Sequence, residues 1–149
     1  MSRCFLGFDF GLRRIGVAVG QELTGTAQAL KTLTSVNQKP DWKGIAILLE
    51  EWKPDALIIG VPYHLDGTSQ DMTETAKKFG RQLNGRFQLP VYEMDERLSS
   101  REAEQEISRQ RAAGQRKKSR KGDVDKMAAQ IILQSWIQQQ EHQQHDRSK

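Results

Sequence analysis

The stretch Ala56–Pro62, ALIIGVP, constrains this chain more than any other. It is an unbroken apolar run too short for a helix, and it reads as a β-strand buried on both faces. Such a strand needs neighbours in a sheet and helices above and below it, which points to an α/β fold. Residues 4–20, CFLGFDFGLRRIGVAVG, supply the opening hairpin of that sheet. The apolar run from Cys4 ends in Asp9, the basic pair Arg13-Arg14 sits between Gly11 and Gly16, and Ile15–Val19 resumes as a second strand. A hairpin this tight asks its glycines for φ > 0 or for close backbone contact.

The remaining elements follow in order. Thr24–Thr34 interleaves apolar and polar residues, the pattern of a third, partly exposed strand that completes an antiparallel meander. Pro40 and Asp41 open a helix whose apolar residues are Trp42, Ile45, Leu48, Leu49 and Trp52, and Pro54 stops it. A helix between strands implies a crossover, so ALIIGVP adds parallel to the sheet. Asp66-Gly67 marks a turn. A second helix carries Met72, Ala76, Phe79 and Leu83 on one face and is expected to end at Gly85, and Leu89–Met94 forms a fifth strand. Ser99 with Glu102 spells a capping box for a helix over about 100–111. A last helix is expected from Asp123 to about Gln140, which gives one domain over 1–140 and a polar, disordered tail over 141–149.

A chain of 149 residues can bury a real core without disulfides. Its single cysteine, Cys4, fits a reducing compartment. With no apolar stretch near membrane length and no long apolar N-terminal region, it reads as a cytoplasmic protein with no membrane partner. Net charge is +4, and residues 111–122, RAAGQRKKSRKG, concentrate six cations with no acid. Such a cluster would steer a polyanion and make its binding salt-sensitive, though a solvated loop has the same composition.

Acids stand where elements end or begin: Asp9 closes the first strand, Asp95 and Glu96 close the fifth, and Asp125 lies in the first turn of the last helix. Strands one, four and five run parallel, so their C-terminal ends share the sheet edge where open α/β sheets place sites. In the stripe Asp125, Ala128, Ala129, Ile132 and Trp136, small residues let the helix approach the sheet and aim Asp125 inward. Carboxylates gathered on an apolar scaffold repel one another unless a hard divalent cation neutralises them. With no histidine at these positions the set suits Mg²⁺ or Mn²⁺ rather than zinc, as one or two ions. Each acid also has a local explanation: Asp9 as a turn residue, Asp125 as a helix-dipole partner, Asp95 as a partner of Arg97. Arg13 and Arg14 are placed to grip a phosphate or to be solvated.

The segments FDFGLRRIGVAVG, LIIGVPYHLDGT, DERLSS and VDKMAAQIIL, in this order and spacing, resemble the YqgF family, also called RuvX, within the ribonuclease H-like fold. The likeness runs from about Phe5 to Leu133. It implies a five-stranded mixed sheet, three strands antiparallel and two parallel, with helices on both faces. It also implies a cytoplasmic bacterial nuclease assigned to 5′-end maturation of pre-16S ribosomal RNA, with DNA junction cleavage as an older assignment. The family pattern carries the catalytic and metal-binding roles onto Asp9, Asp95, Glu96 and Asp125. In the broader superfamily the second acid lies on strand four. Here that strand holds Ile58, Ile59, Gly60 and Val61, so the acid has to come from strand five.

The expectation is therefore a metal-dependent endonuclease in which Arg13, Arg14, Arg97, Lys117, Lys118, Arg120 and Lys121 hold the nucleic-acid backbone. Its partners are pre-ribosomal RNA or branched DNA, with ribosomal particles as a further partner, and the chain is a monomer or weak homodimer. A non-catalytic RNA-binding assembly factor is the alternative from a different class. A sugar-kinase-type phosphotransferase would need a second such domain.

Overall fold

The computed structural model describes residues 2–98 and 121–147, together with 105, 108 and 109. The strands are β1 (Cys4–Phe10), β2 (Arg14–Gln21), β3 (Thr26–Thr34), β4 (Ala56–Val61) and β5 (Val91–Asp95). Helix α1 (Trp42–Trp52) connects β3 to β4, α2 (Asp71–Phe87) connects β4 to β5, and α3 (Lys121–Arg147) follows a 3₁₀ turn at Glu96–Leu98. The sheet order is β3-β2-β1-β4-β5. The first three strands are antiparallel, while β4 pairs parallel with both β1 and β5. This is the mixed sheet expected from the sequence.

Strand alternation divides the core in two. Leu6, Phe8, Ile15, Val17, Leu57, Ile59 and Val61 pack under α1 and α2 with Ile45, Leu48, Phe79 and Leu83. Phe5, Ala18, Ala27, Ile58 and Met94 face the other way and pack on Ala129, Ile132, Leu133, Trp136 and Ile137 of α3. β4 is buried along its whole length, as a strand covered on both sides must be. The α3 side of the sheet is lined with small residues, so the helix lies close to the backbone. A Cβ built on Gly16 would fall 1.9 Å from the Asp125 carbonyl oxygen.

Three expectations need correction. α2 runs through Gly85 to Phe87, and the αL residue Gln88, φ 56°, closes the helix with its N–H donating to the Asn84 carbonyl. α3 begins at Lys121, so Asp125 sits beyond its first turn. The same helix continues to Arg147, past its expected end near Gln140, since Gln, Glu and Arg favour helix even without an apolar face. The expected cap at Ser99 and Glu102 and the residues Lys117, Lys118 and Arg120 lie outside the described residues, as does most of the helix expected over 100–111, of which only Gln105, Ser108 and Arg109 are described, each helical.

Candidate active site

Asp9 shares the α3 side of β1 with Phe5 and Gly7, since Phe8 points into the opposite core. Across the hairpin it pairs with Gly16, the residue on which the Asp125 backbone rests. Neither Gly11 nor Gly16 has positive φ. Of the two reasons a tight hairpin has for glycine, close contact is the one that applies: a Cβ on Gly11 would meet the Arg14 carbonyl at 2.7 Å. On the other flank Phe8 pairs with Ile59, so Asp9 and Gly60 come next along their strands.

Alternation in β5 separates the neighbouring acids. Met94 is buried against α3, and Tyr92, two residues earlier, stacks on Trp136 with ring centroids 5.5 Å apart. Asp95 must then face the other way and Glu96 must return toward α3. A Cβ on Gly60 would lie 2.8 Å from Glu96 Oε1, so the bare backbone of β4 is what lets Glu96 reach across the strand. The acid absent from strand four is replaced by one that passes over it.

The carboxyls of Asp9 and Glu96 are hydrogen-bonded to each other. Burial, the Glu96 charge, that hydrogen bond and the Asp125 charge together push the Asp9 carboxyl up to about 7. Burial also raises Glu96, which the bond from Asp9 partly offsets. The two groups share a proton and titrate as a pair. Asp125 approaches from α3, but its Oδ2 accepts from Arg14 Nε at 2.7 Å.

Asp95 is not part of this hydrogen-bonded pair. Its carboxylate accepts from the Arg97 side chain at 2.7 Å and from the Arg97 backbone N–H at 2.9 Å, and these bonds hold it below the ordinary carboxylate range. Arg97 in turn lies over the Tyr63 ring at 5.6 Å and beside Gly67, which joins DERLSS to the loop of LIIGVPYHLDGT. Arg13 is exposed, whereas Arg14 is committed to Asp125. Lys121 opens α3.

Among the described residues, no group of three or more His, Cys, Asp or Glu is gathered closely enough to hold a metal ion. The chemistry of the donors nevertheless suits a hard divalent cation. Asp9 and Glu96 offer only oxygens, are desolvated, and retain a proton that an ion would replace. Asp125 would complete the set once it left Arg14. The role of Gly60 and the engagement of Arg14 were not foreseen. The sequence reading left open which of Asp95 and Glu96 faces α3, and the structure turns Glu96 that way.

A meander of three strands extended by two parallel ones, with acids at the C-terminal edge and a long helix across them, is a ribonuclease H-like architecture. Two solved structures share it. Thermus thermophilus RuvC in complex with a Holliday junction substrate superposes with a TM-score of 0.57 at 13% identity, over 92% of this chain and 96% of that one. The fowlpox virus resolvase in complex with Holliday junction DNA gives 0.54 at 15% identity, over 91% and 97%. Residues 3–139 match the family model described as RuvX, Holliday junction resolvase, and the chain belongs to that family. Two relatives named "Putative pre-16S rRNA nuclease" are similar over most of their length. The Pseudomonas putida protein is 49% identical over 91% of this chain and 95% of its own, and the Pseudomonas paraeruginosa protein is 48% identical over 91% and 92%.

Proposed function

We propose that this chain is a cytoplasmic nuclease that hydrolyses phosphodiester bonds with Mg²⁺ or Mn²⁺ bound, acting on the 5′ end of pre-16S ribosomal RNA. The observation that carries the reading is the hydrogen-bonded pair Asp9–Glu96 at the C-terminal sheet edge, within electrostatic reach of Asp125. The name shared by relatives at nearly half identity supports the substrate. The family description favours a second reading, a branched DNA junction.

Asp9, Glu96 and Asp125 would hold the ion through carboxylate oxygens. When bound, it supplies an activated water and charge to offset the leaving oxygen. Asp9 gives up the proton it shares with Glu96 as a cation occupies the pair, so ion binding is proton-linked near neutral pH. Arg13, Lys117, Lys118, Arg120 and Lys121 hold the backbone without reading sequence. Asp95 and Arg97 brace the turn that carries Glu96.

The test is cleavage of matched RNA and DNA substrates with Mg²⁺ or Mn²⁺. Asp9→Asn and Asp125→Asn should keep fold and nucleic-acid binding but lose cleavage, and preference between the substrates identifies the class. Undiminished cleavage by Asp9→Asn, in preparations free of contaminating nuclease, would overturn the assignment. Tight binding with no cleavage under any divalent ion would identify an assembly factor instead.

A further inference from the structure

Arg14 opens β2 on the strand face of Gly16, Ala18 and Gly20, the same face as Asp9. Because Asp9 pairs with Gly16, Arg14 is its diagonal neighbour across the hairpin, with side-chain roots about 7 Å apart. Arg14 thus stands on the face of the sheet that carries Asp9. Its Nε donates to Asp125 Oδ2 at 2.7 Å, across 111 residues of sequence.

We infer that Arg14 is an exchangeable counter-cation: it holds Asp125 while no divalent ion is bound, yields that carboxylate to the ion, and turns its guanidinium to a phosphate of the nucleic acid. The inference rests on the nuclease reading above and concerns the order in which charges meet at that site. Two features of the pair carry it.

The first is that the backbone is fixed while the side chains are not. The Asp125 carbonyl lies directly over Gly16, so its backbone has little freedom. The Arg14 and Asp125 side chains keep 38% and 24% of their exposure, so water reaches the bond and rotation about side-chain torsions can break it. Partly exposed pairs of this kind are worth little, which leaves the carboxylate open to a stronger partner. A divalent ion is such a partner, carrying twice the charge on a smaller centre.

The second is where Arg14 would then point. A guanidinium displaced from Asp125 remains at the site mouth beside exposed Arg13, and its planar fork matches two phosphate oxygens. Asp125 therefore decides between two cations, and the one it releases becomes available to substrate only when the site is loaded. Arg14 also offsets part of the Asp125 charge, which raises the Asp9 carboxyl.

The experiment is calorimetric titration of the full chain with Mn²⁺ and no nucleic acid present. Arg14→Gln should bind Mn²⁺ about threefold to tenfold more tightly than wild type, since the ion no longer competes with a fixed cation or feels its charge. Arg14→Lys, which keeps the charge, should stay near wild type. Arg14→Gln should also lose the gain in oligonucleotide affinity that the ion confers on the wild type. A strut that merely positions Asp125 predicts the opposite sign, and equal or weaker Mn²⁺ binding by Arg14→Gln overturns the inference. Wild-type ¹⁵N spectra avoid any dependence on a folded variant: the Arg14 Nε–H resonance should move as Mg²⁺ saturates the site. A resonance that stays in place while the ion binds overturns the inference and leaves the nuclease reading intact. Failure of wild type to bind any divalent ion would overturn both.

Discussion

Asp9 holds a proton at pH values where a free aspartate has lost it, and that difference is a statement about stability. In the unfolded chain its pKa is near 3.8, and in the fold it is about 7. Between those values the native state binds the extra proton, so stability of the ion-free protein falls as pH rises. The slope reaches at most about 1.4 kcal/mol per pH unit, and Glu96, raised in the same direction, adds to it. Urea denaturation with chelator present should show the loss, Asp9→Asn should flatten it, and Mg²⁺ should restore stability at neutral pH. A second outcome separates neighbours in sequence. Glu96→Gln should remove cleavage by orders of magnitude, whereas Asp95→Asn should leave most of it and cost about 0.2–1 kcal/mol of stability through its partly exposed bond to Arg97. Cleavage rates alone distinguish the two, and equal losses would mean that Asp95 reaches the site.

The elements place these side chains through what they omit. Gly16 and Gly60 give α3 and Glu96 the space they occupy. Gly16→Ala sets a Cβ against backbone that cannot rotate away, so α3 has to lift, at a cost of about 1–3 kcal/mol and with loss of cleavage. Gly85→Ala meets nothing and removes a flexible residue from the last turn of α2, so it should stabilise by up to about 0.5 kcal/mol. Thermal or urea unfolding of the two variants reads both signs. The order of elements was legible because β1, β2 and β4 are short apolar runs, β3 interleaves apolar and polar residues, and α1 carries its own start signal at Asp41. Which of Asp95 and Glu96 turns toward α3 stayed open in the sequence, because the 3₁₀ turn begins at Glu96, where strand alternation ends. The bond between Arg14 and Asp125 was not legible, because no local pattern links residues that far apart in the chain. The length of α3 was hidden by composition, its polar end having no apolar stripe to betray a helix.

At the scale of the molecule, an acidic site has to accept a polyanion, and a net charge of +4 does not by itself explain how. The connection does. The chain leaves the 3₁₀ turn that begins with Glu96 and returns at Lys121 to the helix that carries Asp125, so the segment rich in Arg and Lys is tethered at both ends to the elements holding the acids. A basic segment favours the approach of a phosphate backbone where carboxylates alone would repel it. Contacts of this kind release counterions, so the logarithm of affinity falls with the logarithm of salt by about 0.7 per phosphate neutralised on a single strand and about 0.9 on a duplex. Replacing Lys117, Lys118, Arg120 and Lys121 together with Gln should reduce that slope by about 3. Because these contacts carry no sequence information, affinity should fall alike for unrelated RNA sequences, and the pH dependence set by Asp9 should be unchanged. Titrations at several salt concentrations measure the slope. An unchanged slope in the quadruple variant would move the electrostatic footprint elsewhere on the surface, with Arg13 and Arg97 as the next cations to replace.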